Sequence, residues 1–328
     1  MIPANRGTFH AAPVAVIGNI NLDIKTSPIP ASPDLFSDGE TSVREIYESI
    51  GGGGANTAVA AARMGGCVHF WGCTGSDGLG SRLEAALRTC GVVPHLQRKP
   101  VATGRSINLN WDRGTRHFVS SLPNNRVMTF EDSDVDALVE AGCEQLLRAD
   151  IWFSEAMLEE GNFRLLERAR SAGMETYIDI NWDPEWGVAA PARVETRKEN
   201  VRRILPLIDC VHGNERELRF FTGCEDIRSA CGFLLDRGCS EIVVHQGQKG
   251  AASFTSRRGW IEVPATPVEK IVCSTGAGDV FCAAHMLLRG LETRERLSLS
   301  AQLAADHLSG RQTFLPRLDD PGFTAVIK

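Results

Sequence analysis

What most constrains this chain is the recurrence of short, continuous apolar runs that stop at a glycine or a polar residue and give way to helical stretches. Val14-Ala15-Val16-Ile17-Gly18 is the first. It is too short for a helix and apolar without alternation, the pattern of a strand buried on both faces of a parallel sheet. Val68-His69-Phe70-Trp71-Gly72 repeats it, followed by a helix predicted over Ser81–Cys90 with leucines at 83 and 87. After Asn125 the alternation is regular. The spacing predicts a helix over Asp132–Leu147, a strand at Ile151-Trp152-Phe153, a helix over Asn162–Ser171 and a strand at Thr176–Ile180, then strands at Cys210-Val211-His212 and Ile242-Val243-Val244. Repeated units of this kind imply an α/β fold with a doubly wound, mostly parallel sheet flanked by helices. Ligands in such sheets bind beyond the carboxyl ends of the strands. The polar residues that close the runs, Asn21 and Asp23 among them, are therefore candidates for a site, although turn chemistry also favours Asn and Asp.

Two stretches break the alternation. Lys25 to Tyr47 carries prolines at 28, 30 and 33 and no helical period, and residues 104–121 alternate as a hairpin around Asp112-Arg113-Gly114. Both read as insertions, 25–50 and 100–125, in a core formed by 1–24, 51–99 and 126–328.

Two glycine turns stand before helices. Ser274-Thr275-Gly276-Ala277-Gly278-Asp279 runs into Val280-Phe281-Cys282-Ala283-Ala284, a glycine turn opening a buried helix. Backbone N–H groups converge there at the positive end of the helix dipole, which makes an anion hole for a phosphoryl group. Asp279 in the first turn would repel that anion unless its task is to take a proton from an attacking hydroxyl; a plain helix cap is the other reading of the same six residues. The second turn, Gly51-Gly52-Gly53-Gly54-Ala55-Asn56, precedes a helix from Thr57 to Met64. The third glycine of G-x-G-x-x-G is missing, a leading strand is in doubt and no P-loop exists, so any nucleotide is held in another way.

A formal net charge of -6 without a Lys/Arg run excludes nucleic acid and anionic membrane as main partners. The ten cysteines include no C-x-x-C pair and several lie in apolar runs, so they read as small buried hydrophobes in a reducing cytoplasm. No stretch approaches the ~20 apolar residues of a membrane-spanning helix.

Asn21-x-Asp23, Gly51-Gly52-x-Gly54-Ala55-Asn56, Asn214-x-x-Glu217, Gly247-x-x-Gly250 and Gly276-Ala277-Gly278-Asp279, in this order, resemble the ribokinase/PfkB family of carbohydrate kinases. The resemblance covers nearly the whole chain. It implies a large α/β domain with a small β-sheet lid built from the two insertions, and pairing of two copies through their lids. It implies ATP and Mg²⁺ as cofactors. Asp279 would be the catalytic base, and Gly276, Ala277 and Gly278 would supply the anion hole. Asn21, Asp23, Gly52, Gly53 and Asn56 would hold the sugar with Asp279. Asn214, Glu217, Gly247 and Gly250 would join Gly276 and Gly278 around the nucleotide, Glu217 reaching the metal through water.

Four positions depart from the family pattern. Cys273-Ser274 replaces Asp-Thr, which removes a hard ligand for a monovalent cation and makes potassium dependence doubtful. Gly53 stands where ribokinase has lysine, which weakens the case for ribose. His245-Gln246-Gly247 replaces Thr-Leu-Gly, at the cost of a hydroxyl contact. In Asp179-x-Asn181-x-Asp183-Pro184 an acid replaces the arginine of Asp-x-Asn-x-Arg-Pro, so Asp183, together with Asp23, is expected to repel anionic sugars and leave a neutral one. A nucleoside kinase of the same fold and a retired kinase that only binds sugar are the alternatives.

Overall fold

The computed structural model describes residues 12–318 apart from 31, 33, 34, 36, 113, 114, 273 and 274. The strands are β1 (Val14–Ile17), β2 (Asn21–Thr26), β3 (Ile46–Gly51), β4 (Val68–Gly75), β5 (Val92–Lys99), β6 (Arg105–Asn110) and β7 (Arg116–Ser121). Then follow β8 (Gln145–Arg148), β9 (Glu175–Asp179), β10 (Cys210–Asn214), β11 (Glu241–His245), β12 (Ala251–Thr255) and β13 (Gly259–Val263). The α-helices are α1 (Gly53–Arg63), α2 (Gly78–Thr89), α3 (Pro123–Arg126), α4 (Asp132–Glu140) and α5 (Asn162–Ser171). They continue with α6 (Pro191–Arg202), α7 (Glu215–Thr222), α8 (Ile227–Leu235), α9 (Ala277–Leu287) and α10 (Thr293–Leu308).

The large sheet runs β13-β12-β11-β10-β9-β8-β1-β4-β5, parallel from β5 to β11 and antiparallel at β12 and β13. Its strands read as continuous apolar runs because both faces are covered. Val14 and Val16 of β1 enter one core with Ala58 of α1, Leu83 of α2, Val280 of α9 and Leu297 of α10. Ala15 and Ile17, pointing the other way, enter a second core with Leu138 of α4, Leu165 of α5, Leu218 of α7 and Leu234 of α8. This is the doubly wound arrangement read from the sequence. One edge of it, where the parallel strands end, collects Gly18, Asp150, Asn181, Asn214 and His245.

A second sheet, β3-β2-β6-β7, stands apart from the first as a lid. It begins at Asn21, earlier than the expected insertion boundary at 25, so Asn21 and Asp23 belong to a lid strand. β6 and β7 pair antiparallel, Asn110 opposite Arg116; Arg113 and Gly114 of the expected turn lie outside the described residues. A strand does lead into the glycine run, since β3 ends at Gly51.

One stretch folds differently from its sequence pattern. The helix expected over Asp132–Leu147 ends at Glu140, and the chain turns at Gly142 with φ 72°. The segment from Gln145 to Arg148 is then a fully buried strand between β1 and β9. Leu146 continues the helical spacing of Val139, seven residues before it, but a left-handed glycine stops the helix. The strand expected at Ile151-Trp152-Phe153 is the turn after β8, with Ile151 and Trp152 buried. Among the described cysteines none is in a disulfide; most are buried, while Cys67 is exposed. No described helix is long and apolar enough to cross a membrane.

Candidate active site

The glycine run after β3 is folded around a carboxylate that the sequence pattern did not single out. Asp150, just beyond β8, accepts hydrogen bonds from the N–H of Asn19 at 3.0 Å, of Gly54 at 2.7 Å and of Gly53 at 3.3 Å. It is buried and its backbone sits at φ 54°. That left-handed conformation is costly for an aspartate and is held by Asn181, whose Oδ1 accepts from Asp150 N at 3.0 Å. Gly52 lies at φ 95°, where a Cβ would come within 2.3 Å of the Asn19 carbonyl, so the chain can lie flat over β1 only as glycine. The result is a rigid loop that launches α1 with Asn56 facing the site.

Asn56 meets Asp279 across the molecule: its Nδ2 donates to Asp279 Oδ2 at 3.0 Å, while Asn56 Oδ1 is buried with no protein partner. Asp279 lies in the first turn of α9, whose N-cap Gly276 takes φ 82°. The first N–H to bond back within that helix is Val280's, to Gly276 O at 2.8 Å, so the N–H groups of Ala277, Gly278 and Asp279 have no acceptor inside the helix. Thr275 ties the turn to its surroundings: its Oγ1 accepts from Asn108 of the lid at 2.9 Å, and its carbonyl lies 2.9 Å from His307 Nε2. Cys273 and Ser274, on which the cation expectation rests, lie outside the described residues. Burial, reinforced by the charge of Asp150, pushes the Asp279 carboxyl up to about 7, against the Asn56 hydrogen bond and the positive charge of Arg116.

Asn21 and Asp23, two apart on β2, share a face, and Asn21 Nδ2 donates to Asp23 Oδ1 at 2.8 Å. Lys25 Nζ stands 3.8 Å from Asp23, yet burial still raises the Asp23 carboxyl above its ordinary range. Arg116 on β7 connects this pair to the rest, for its charge acts on Asp23, Asp279 and Glu217 alike.

Asn214 and Glu217 form a reciprocal cap on α7, Glu217 N to Asn214 Oδ1 and Asn214 N to Glu217 Oε2, both 2.9 Å. Asp179 at the end of β9 accepts from Asn181 Nδ2 at 2.9 Å. Burial raises both the Asp179 and Glu217 carboxyls, and Asp179 rises further beside the charges of Glu217, Asp279 and Asp150. The glycines expected to face the nucleotide also come together. Gly247, Gly250 and Gly278 line a mostly apolar cleft of about 150 Å³ with His245, Phe281 and Ala301.

Asp183 is the exception. It is fully buried, and both its oxygens are held by Arg197, Nε to Oδ2 at 2.8 Å and Nη2 to Oδ1 at 3.1 Å. Its charge is compensated inside the protein, so it repels no substrate. Asp150, Asn108 and Arg116 were not legible as site residues. Asp150 would have been found by the strand-end rule had β8 been placed at its true position.

Residues 12–307 match the pfkB family carbohydrate kinases. The chain is 27% identical to ribokinase of Arabidopsis thaliana over 92% of its own length and 78% of that protein's. It is 31% identical to a cytidine kinase of Thermococcus kodakarensis over 52% of this chain and 63% of that one. A solved E. coli protein described as a ribokinase II, in complex with ATP and Mg²⁺, superposes with a TM-score of 0.76 at 21% identity, covering 91% of this chain and 93% of that one. With the family pattern spanning nearly the whole chain, and the fold and its strand-end site in agreement with it, this protein belongs to the pfkB family of carbohydrate kinases.

Proposed function

We propose that the protein transfers a phosphoryl group from ATP to a hydroxyl of a neutral sugar, with Asp279 as the base. The observation that carries this reading is the Asn56–Asp279 hydrogen bond, which joins the glycine loop of the sugar side to a carboxylate poised near neutrality at the mouth of a helix N-terminus. A base with a pKa near the working pH removes a proton most effectively. The N–H groups of Ala277 and Gly278 open the same helix turn as Asp279 and would stabilise negative charge on the group in transfer. Asn56 Oδ1 offers an acceptor for a neighbouring sugar hydroxyl, and Asn21 and Asp23 offer a donor and acceptors for a vicinal diol.

A hard divalent cation suits the edge formed by Asp179 and Glu217, since its charge would favour the ionised form that burial disfavours in both carboxyls. Such a cation neutralises phosphate charge during phosphoryl transfer. Glu217, held by its cap to Asn214, would act on it through water. The cleft beside Gly247 and Gly250 would take the nucleotide base. The preference for a neutral sugar rests on Asp23, Asp179, Glu217 and Asp279, set against Lys25, Arg116 and Arg216.

The likeness to a cytidine kinase favours one second reading, a nucleoside as acceptor. ADP release measured with a panel of neutral sugars, sugar acids and nucleosides separates the two. Fastest turnover with a neutral sugar supports the proposal. Fastest turnover with a nucleoside or a sugar acid overturns the acceptor assignment, and no turnover with any of them overturns the kinase reading in favour of a retired binder.

A further inference from the structure

We propose that Cys210, His212 and His285 form a buried binding site for a zinc-class cation, joined through His245 to the cleft beside Gly247 and Gly250. Cys210 and His212 are two apart on β10 and so share a face, and His285 comes down on them from α9. The thiol sulfur and one nitrogen of each ring lie within 4.8 Å of one another, all three side chains being buried. Thiolate with imidazole is the donor set that zinc prefers, and modest ring adjustment brings such atoms to the ~2.0–2.3 Å of zinc–nitrogen and zinc–sulfur bonds.

The hydrogen bonding points the same way. His212 Nδ1 lies 3.2 Å from His245 Nε2, while His212 Nε2 is buried without a partner. Neither nitrogen of His285 has a hydrogen-bond partner; Glu241 Oε1 stands 4.0 Å from its Nε2 and leaves Nδ1 bare. Unpaired buried polar atoms are costly, and three in one cluster need an explanation. Metal-ligating histidines characteristically hold their second nitrogen against another acceptor or a carboxylate, which is what His245 and Glu241 supply here. On binding, the Cys210 thiol loses its proton to solvent. The resulting thiolate, with Glu241, offsets Arg296, which donates to the His285 carbonyl at 2.7 Å and lies 3.4 Å from Glu241 Oε2. His245 lines the cleft, and Phe281, also in its wall, stacks on His285 at 6.2 Å. An occupied site would fix the His245 ring and thereby the wall of the cleft.

The test uses the full chain, stripped with a chelator, and Co²⁺ as a coloured probe. One equivalent should give thiolate-to-cobalt charge-transfer absorption that zinc abolishes one for one, and zinc should raise the melting midpoint above that of the stripped protein. Cys210→Ser should lose the thiolate band, whereas Cys231→Ser, on the opposite face of the sheet, should keep it. His245→Leu should weaken binding roughly 10–100-fold, as loss of an orienting partner does. A parent protein that gives no thiolate band, or a band that survives in Cys210→Ser, overturns the site. Should Cys210→Ser fail to fold by circular dichroism, unchanged cobalt affinity in His245→Leu overturns it equally.

Discussion

Asp150 shows how much a single side chain can organise without touching the chemistry. Its two oxygens accept three backbone N–H groups, two of them from the glycine loop that positions Asn56. Asp150→Asn turns one oxygen into a donor that faces N–H groups, so at least one buried donor loses its partner. A stability loss of about 1–3 kcal/mol follows. Because the loop rather than the base is disturbed, KM for the sugar should rise more than kcat falls. Urea unfolding beside steady-state kinetics reads both, and an unchanged midpoint with unchanged KM would contradict the role. Asp150 was hidden in the sequence because nothing local distinguishes it: its partners are 131 and 96 residues away, at Asn19 and Gly54. Asp183 failed as a specificity residue for the same reason, since the charge that neutralises it comes from Arg197 on α6. Motifs report what a segment can offer; they do not report who faces it.

At the scale of elements, the apolar runs placed β1, β4, β9, β10 and β11, because strands buried on both faces leave an unambiguous hydrophobic signature. β8 escaped because Leu146 stands seven residues beyond Val139, a helical spacing, and only the turn at Gly142 separates them. The lid adds a cation over the acidic site. Arg116 on β7 lowers the Asp279 carboxyl, which burial and Asp150 raise. Arg116→Gln removes that charge. The Asp279 carboxyl then titrates higher, and the acid limb of kcat/KM, expected near pH 7 in the parent, moves to higher pH. At pH 6 the variant should lose proportionately more activity than at pH 8. A pH–rate profile that keeps its acid limb in place would show that Arg116 does not govern the base.

At the scale of the whole molecule, the lid leaves Ile46, Ile107 and Val119 exposed on three strands, and the register puts them on one face of the sheet as an apolar patch. We infer that a second copy covers it, lid against lid. Val119→Lys should shift sedimentation from dimer to monomer, and a parent protein that sediments as a monomer would contradict the pairing. The whole chain also converges on one point, since Asn56 and Asp279 lie 223 residues apart and meet in a single hydrogen bond. The central claim is that this pair contains the base, and Asp279→Asn tests it most directly. The substitution keeps a side-chain acceptor for Asn56 and removes the proton acceptor. Because the Asp279 carboxyl is raised when folded, the parent loses stability as pH climbs from about 4 to about 7, and the variant escapes that loss. It should therefore melt at or above the parent, increasingly so up to neutral pH. Calorimetry should show sugar and ATP still binding, while turnover falls roughly 10²–10⁴-fold. A variant that binds both ligands, melts as described and still turns over within a few-fold of the parent would contradict the mechanism.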